Sequence, residues 1–302
     1  MTDLFLDTCI SPMLIYQVEP FDDENYIYEL KLDGIRCIAY LGDGKTVLQN
    51  KRFKDVTDTY PELKDAHRCV DCRTVLDGEL VVLTDGKPNF YALQARSLMT
   101  DKLRINLAAR KNPVQFVAYD MLYYDGKNLT NLPLSERKKY LSGVVKEGHN
   151  LSVSRYIEKD GIAFFELVKK ENLEGIVAKK KDGLYHIGKR TYDWVKIKVM
   201  QEEDLVICGY KPNEKGEVKD LILGYYDKNK KLKYKGTVYA GIGKEERKVI
   251  KEFAKKNNER KALIENIKGV VWVKPELIGT VKYMHETESG SMRQPVWKGL
   301  KE

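Results

Sequence analysis

A lysine ends the strand-like run of the segment YELKLDGIR, residues 28–36, and an Asp-Gly turn signal follows it. Lys31 lies two residues before Asp33 and five before Arg36. A β-hairpin whose charged turn faces water would explain Asp33 and Gly34 by turn chemistry alone. Short motifs often match by chance. Other residues must therefore decide whether Lys31 is a surface lysine or a chemical group.

Two further lysines alternate along a strand-like run. Lys196 and Lys198 lie in WVKIK, and residues two apart on a strand point to the same face. An edge strand could show both to water, but the apolar residues around them leave little room for a fully exposed strand. With Lys31, Arg36 and Arg52 they would form a cationic wall. Such a wall needs anions as partners.

Two acidic residues each begin a strand-like run. Glu79 starts ELVVL and Glu174 starts EGIVAKK. Mg²⁺ is usually bound by one or two carboxylates together with phosphate oxygens, and these two residues are the candidates. Cations beside metal-binding carboxylates favour phosphoryl or nucleotidyl transfer, in which positioning and charge stabilisation dominate.

Strand-like and helical patterns alternate without a repeating βα period, which predicts the α+β class. The strand-like runs are rich in β-branched and aromatic residues. Helical apolar spacing covers about residues 90–110, 134–147 and 160–172.

The last third of the chain differs from the rest in pattern and charge. After Met200 about five short strands follow, interrupted by one helix near 244–257, which predicts domains at 1–200 and 201–302 and a small barrel for the second. Residues 201–302 contain 22 lysines and arginines against 16 acidic residues, so +6 of the formal +8 lies there. A solvated lysine-rich surface would explain this excess, and so would attraction of a polyanion such as nucleic acid.

Composition argues against several classes of protein. The 302 residues, 42% of them hydrophobic, can bury a core. No apolar run reaches the roughly 18 residues of a membrane span, and the first residues lack a signal-peptide pattern, so we expect a cytoplasmic protein. Five irregularly spaced cysteines suit a reducing compartment. His67, Cys69 and Cys72 offer part of a zinc site, but no second pair of ligands completes it.

Five ordered motifs carry a family resemblance. KLDGIR, LDGEL, FVAYDML, EGIVAKK and WVKIK resemble the nucleotidyltransferase motifs of ATP-dependent DNA ligases. SPML, TDTYPEL and the segment from WVKPELIG to QPVWKGL extend the likeness over nearly the whole chain, which is similar to the ligase domain of bacterial end-joining DNA ligases and their stand-alone relatives. The resemblance implies an adenylation domain of antiparallel sheets with flanking helices, followed by an OB-fold β-barrel.

The resemblance also implies a role for the lysine of the first motif. Lys31 would attack the α-phosphate of ATP, release pyrophosphate and carry AMP, which then passes to the 5′-phosphate of a nick before the 3′-hydroxyl displaces it. A lysine of ordinary pKa, near 10.4, is neutral only about 4 times in 10,000 at pH 7. We therefore expect a bound cation, Arg36, Lys196 and Lys198 to lower the pKa of Lys31.

Further roles follow from the same resemblance. Arg36 and Glu79 would bind the ribose side of AMP, and Glu29 would lie beside the base. Tyr119 would stack on adenine, although a buried core position would also explain it. Arg52 would lie near the nucleotide or the 5′-phosphate.

The remaining positions implied by the resemblance concern metal and phosphate. Glu174, with Glu79, would bind Mg²⁺ or Mn²⁺, and Arg190, Lys196 and Lys198 would contact phosphate groups.

The expected function is an ATP-dependent DNA ligase acting in DNA repair as a monomer on nicked duplex DNA, with a Ku-like end-binding protein as a candidate partner. Two rivals belong to the same superfamily, an RNA ligase and a GTP-using capping enzyme. A third is a non-catalytic OB protein that binds nucleic acid. An NAD-dependent ligase is disfavoured, because the added zinc module and the length of that family are absent from this sequence.

Overall fold

β-Strands dominate the computed structural model, which describes residues 3–7, 9–287 and 289–301. The chain divides into two units, Met1–Val199 and Met200–Glu302. Among the described residues, no helix has the length and apolar character that crossing a membrane requires.

Two β-sheets form the first unit. Its strands are β1 Leu14–Gln17, β2 Asp23–Leu30, β3 Ile35–Gly42, β4 Lys45–Asn50, β5 Thr74–Thr84, β6 Lys87–Pro88, β7 Val114–Tyr124, β8 Lys127–Asn128, β9 Leu151–Val153, β10 Tyr156–Lys159, β11 Gly175–Lys180 and β12 Arg190–Lys198. One sheet has the order β1-β12-β11-β2-β10, and the other has the order β4-β3-β5-β7-β8, with β6 on β5 and β9 on β7. The pairs are antiparallel except β1 with β12 and β7 with β9.

Helices of the first unit flank these sheets. They are α1 Leu4–Asp7, α2 Phe90–Ser97, α3 Lys102–Lys111, α4 Leu134–Val144 and α5 Gly161–Lys170, with 3-10 turns at Thr57–Thr59, Pro61–Leu63 and Ala66–Cys69. The helical pattern expected over about 90–110 forms two helices, α2 and α3, because the chain starts a second helix within that range. Asp101 caps α3 by accepting a hydrogen bond from the backbone N–H of Arg104.

The second unit is built on one long strand. Its elements are β13 Gln201–Pro212, β14 Val218–Tyr226, β15 Leu232–Val238, α6 Lys244–Lys256, β16 Asn258–Glu259, β17 Val271–Val273, β18 Ile278–Tyr283 and β19 Val296–Leu300. β13 pairs with β14, β17 and β18, and β18 pairs with β19. The described part of this unit thus has seven strands rather than about five, because the very short β16 and β17 carry no readable alternation.

The chain crosses from one sheet to the other at Lys31–Gly34. β2 pairs with β10 and β11, whereas β3 pairs with β4 and β5, so the β-hairpin interpretation of this segment is wrong. Gly34 is required here, because a Cβ atom would lie 2.3 Å from the carbonyl oxygen of Leu80. The crossing places Lys31 where the two sheets meet.

Candidate active site

A cavity of about 190 Å³ lies where the two sheets of the first unit face each other. Strands of both sheets line it, as does the Lys31–Gly34 crossing. It brings together five of the predicted site residues, Glu29, Lys31, Arg36, Glu79 and Tyr119.

The amine of Lys31 is held by a buried carboxylate. Lys31 Nζ lies 2.7 Å from Glu174 Oε1, and Lys198 Nζ lies 3.7 Å from the same oxygen. The Lys31 backbone N–H donates to the carbonyl of Gly175, 2.9 Å away, so the pairing of β2 with β11 fixes both ends of this contact. Glu174 Oε2 is buried and has no hydrogen-bond partner among the described residues, which leaves one oxygen for a ligand.

Two further cations lie beside this pair. Burial lowers the pKa of Lys196, and repulsion from Lys31 and Arg190 adds to the shift. Arg190 is exposed, and its Cζ lies 5.4 Å from the ring centroid of Tyr16. Lys31, Lys196 and Lys198 therefore lie near Glu174, and the charge of Arg190 reaches Lys196. A polyphosphate would stabilise this group of cations.

Arg36 is fixed by a buried network. Its Nε and Nη2 donate to the two carboxylate oxygens of Asp77 at 3.0 and 2.5 Å, and Nη1 donates to the carbonyl of Met13. The Tyr185 hydroxyl donates to Asp77 Oδ2 at 2.7 Å. The guanidinium Cζ also lies 5.8 Å from the Tyr119 ring centroid. Arg36 therefore reaches the cavity with its guanidinium already hydrogen-bonded.

Glu29 is a fully buried carboxylate between two lysines. Lys179 Nζ lies 3.0 Å from Oε2, Lys138 Nζ contacts Oε1, and the Ser154 hydroxyl donates to Oε2 at 3.0 Å. Although burial alone raises the pKa of Glu29, the charges of Lys138 and Lys179 outweigh it and hold that pKa below its ordinary value. Glu29 is thus an ionised acceptor at the cavity wall.

Two aromatic rings and a lysine form one wall of the cavity. The rings of Tyr119 and Trp194 meet edge to face with centroids 6.0 Å apart, and Lys179 Nζ lies 4.3 and 4.1 Å from their centroids. Burial lowers the pKa of Lys179 to about 8, and Glu29 opposes that shift. Trp194 Nε1 is buried without a hydrogen-bond partner among the described residues. The wall offers a donor and flat apolar faces suited to a heteroaromatic base.

Glu79 lies opposite Arg36 in the pairing of β5 with β3. Burial raises the pKa of Glu79 to about 8, although the charges of Lys31 and Arg36 oppose the shift. The site thus holds a carboxylate that burial makes costly to ionise.

We expect Glu79→Gln to stabilise the fold at alkaline pH. The raised pKa means that the folded state binds a proton that the unfolded state has lost, so the wild type loses stability as pH rises from about 4.5 to about 8. The variant should gain about 1–3 kcal/mol at pH 8 and little at pH 5. Thermal denaturation at both values tests this, with Glu166→Gln, exposed on α5, as the control. An equal effect at both values would contradict it.

The cavity does not include every predicted site, and Arg52, a metal cluster and the partial zinc site are the exceptions. Arg52 is exposed and does not line the cavity. In the described residues no cluster of three or more His, Cys, Asp or Glu side chains is placed to bind a metal ion. His67 Nδ1 lies 3.0 Å from the Lys64 carbonyl, and the Cys69 thiol donates to the carbonyl of Gly148, so these residues have other partners.

Sequence reasoning missed several residues of the site. They are Asp77, Lys138, Lys179, Tyr185 and Trp194. Alternation could have found three of them, because Asp77 shares a strand face with Glu79, Lys179 with Val177, and Trp194 with Lys196. Lys138 and Tyr185 lie on a helix and a loop, and nothing in the sequence indicated that they reach this site.

Comparisons with known proteins agree with this architecture. The sequence model of the family described as "ATP dependent DNA ligase domain" matches residues 12–198, and that of the "ATP dependent DNA ligase C terminal region" matches residues 214–302. The chain therefore belongs to the ATP-dependent DNA ligase family, whose members are enzymes. The predicted α+β class with a C-terminal OB-fold is confirmed.

Individual relatives support the same assignment. The chain is 32% identical over 304 residues to "Multifunctional non-homologous end joining protein LigD" of Mycolicibacterium smegmatis, covering 96% of this chain and 38% of that protein. It is 37% identical over 220 residues to "SPbeta prophage-derived DNA ligase-like protein LigB" of Bacillus subtilis, covering 72% of this chain and 76% of that protein. The solved structure "mycobacterial DNA ligase D complexed with ATP and MES" is 29% identical to this chain, with a TM-score of 0.59. The match includes 97% of this chain and 95% of that structure's chain. The chain thus spans well under half the length of the LigD relative.

Proposed function

We propose that this chain seals nicks with 5′-phosphate and 3′-hydroxyl ends in duplex DNA, using ATP and a covalent AMP on Lys31. The observation that carries the proposal is the position of the Lys31 amine, which lines the cavity and is held 2.7 Å from Glu174 Oε1. An amine at the edge of a cavity lined by aromatic rings and cations suits attack on a nucleotide phosphate.

The residues around Lys31 would have separate roles in the first step, the transfer of AMP from ATP to Lys31. The adenine ring would lie against Tyr119 and Trp194, and Glu29 would accept hydrogen bonds from its amino group. After losing a proton, the Lys31 amine would attack the α-phosphorus. A P–N bond forms, the bond to the pyrophosphate oxygen breaks, and the nitrogen releases its extra proton to solvent. Lys196 and Lys198 would stabilise the charge on the phosphates.

A divalent cation fits the carboxylates near Lys31. Glu174 has a buried oxygen without a hydrogen-bond partner among the described residues, and burial raises the pKa of Glu79 more than the charges of Lys31 and Arg36 lower it. These two residues would bind Mg²⁺ or Mn²⁺. The bound cation would neutralise phosphate charge and assist departure of pyrophosphate.

Nucleotide and strand preference test the proposal against its rivals. The chain should join a nick in duplex DNA with ATP and Mg²⁺, and it should fail with GTP. A matched nick in duplex RNA separates the DNA ligase from an RNA ligase. Transfer from GTP would indicate a capping-type enzyme, and binding of DNA without any transfer from either nucleotide would indicate a non-catalytic protein.

We further propose a role in the repair of broken DNA ends. Support comes from the end-joining name of the LigD relative, which is much longer than this chain. A Ku-like end-binding protein is the partner that this role implies, and the chain would act as a monomer. Sealing of cohesive ends with and without such a protein, and the mass of the chain in solution, test these points.

A further inference from the structure

The two carboxylate oxygens of Glu29 have different surroundings. Oε2 accepts a hydrogen bond from the Ser154 hydroxyl and lies 3.0 Å from Lys179 Nζ. Oε1 contacts Lys138 Nζ, and beyond this ion pair no hydrogen bond from a described residue reaches it. Each oxygen of an ionised carboxylate can accept about two hydrogen bonds. Oε1 therefore keeps room for a second donor beside Lys138.

Lys138 reaches Glu29 from a helix that buried contacts hold in place. Its neighbour Arg137 is fully buried and donates to both carboxylate oxygens of Asp120, at 2.9 and 2.8 Å. Arg137 also donates to two backbone carbonyls. Asp120 follows Tyr119 on β7, so these bonds tie α4 to the strand that carries this ring. Lys138 therefore has a fixed position relative to the aromatic side of the cavity.

The charge of Lys138 matters because Glu29 is buried. Burial favours a protonated carboxyl group, and of the two lysines Lys138 opposes this more strongly, so the pKa of Glu29 stays below its ordinary value. Lys179 is less able to do this alone, since burial lowers its own pKa to about 8. The other neighbours are the Ser154 hydroxyl and, on β10, Tyr156, whose ring centroid lies 5.5 Å from Lys138 Nζ. Lys138 thus keeps Glu29 in the form that only accepts hydrogen bonds.

We propose that Lys138 is a positioning residue that makes the chain prefer a purine with a 6-amino group. The inference rests on the proposed function, in which Glu29 accepts hydrogen bonds from the amino group of adenine. A hydrogen bond to an ionised carboxylate is stronger than one to a neutral carboxyl group. Without the charge of Lys138, burial would leave Glu29 more often protonated and a poorer acceptor. Lys138 does not line the cavity itself, so it acts on the base through Glu29.

Two nucleotides isolate the contribution of the amino group. Purine riboside triphosphate carries hydrogen where ATP carries the 6-amino group and is otherwise identical. We expect the wild type to transfer the nucleotide from ATP with a kcat/KM about a hundredfold above that for this analogue, and Lys138→Met to lose about tenfold of the preference. Both values come from one preparation of each variant, so a lower folded fraction leaves their ratio unchanged.

Two further variants separate the charge from the fold. Lys138→Arg keeps a charge at this position and should prefer ATP within about twofold of the wild type. Lys139→Met changes an exposed lysine of the same helix, which pairs with Glu136, and should leave the preference unchanged. An unchanged or increased preference in Lys138→Met would overturn the inference. An equal loss in Lys138→Arg would overturn it too, because side-chain shape rather than charge would then be responsible.

The same ratio measured by binding separates this inference from the proposed function. Calorimetric titration gives the affinities for ATP and for the analogue without any transfer step. Failure of the wild type to transfer AMP would overturn the proposed function, and the ratio of affinities would still judge Lys138. A binding preference that is reduced in Lys138→Met and restored in Lys138→Arg supports the inference.

Discussion

A Lys31→Ala variant is expected to acquire no covalent AMP from ATP, with a rate at least about a thousandfold below that of the wild type. Lys31 Nζ is the amine that Glu174 holds at the cavity, and alanine offers no nucleophile. Lys31→Arg should fail equally, because arginine retains its proton at neutral pH. Incubation with α-labelled ATP, followed by denaturing gel electrophoresis, measures both variants.

Two controls make this result specific to the amine. Lys45→Ala removes an exposed lysine of β4 and should leave labelling unchanged. Lys31→Ala should still seal a nick that already carries 5′-AMP, although more slowly, since that step needs no lysyl-AMP. Labelling of Lys31→Ala at the wild-type rate would remove Lys31 from its proposed role.

Asp77→Asn is expected to destabilise the first unit by about 3–5 kcal/mol and to raise the KM for ATP. Asp77 is fully buried and accepts hydrogen bonds from Arg36 and Tyr185. The amide keeps the shape of the side chain but loses its charge, which leaves the Arg36 guanidinium largely buried without a counter-ion. Thermal denaturation and the ATP dependence of self-adenylation measure the two effects.

An exposed ion pair provides the matched comparison. Asp43 contacts Arg73 at 2.9 Å, and both side chains are close to half exposed. Asp43→Asn should cost less than about 1 kcal/mol, and asparagine tolerates the positive φ at this position. Similar losses in the two variants would show that Asp77 acts as an ordinary surface charge.

Strand alternation and motif order predicted much of this molecule. The strands that carry Glu79, Tyr119 and Lys196, and the strand that ends just before Lys31, lie where their apolar patterns place them, because their side chains alternate between core and cavity. The order of the five motifs indicated the family before any contact was known. The roles assigned to individual residues stay predictions.

Other features depend on contacts far apart in sequence. From the sequence, Lys138 is expected to be one of several solvent-exposed charges on a helix. The fold instead buries this lysine against Glu29. Likewise, Tyr185 joins Asp77 across more than a hundred residues. A break between α2 and α3 also escaped prediction, because Asp101 caps a helix within one continuous apolar pattern.

The most direct test of the account is to locate AMP on the chain. Wild-type protein is incubated with ATP and Mg²⁺, digested under conditions that preserve a P–N bond, and mapped by mass spectrometry. One AMP is expected on the peptide that contains Lys31, with cleavage blocked at that lysine. AMP on Lys179, Lys196 or Lys198 instead would contradict it.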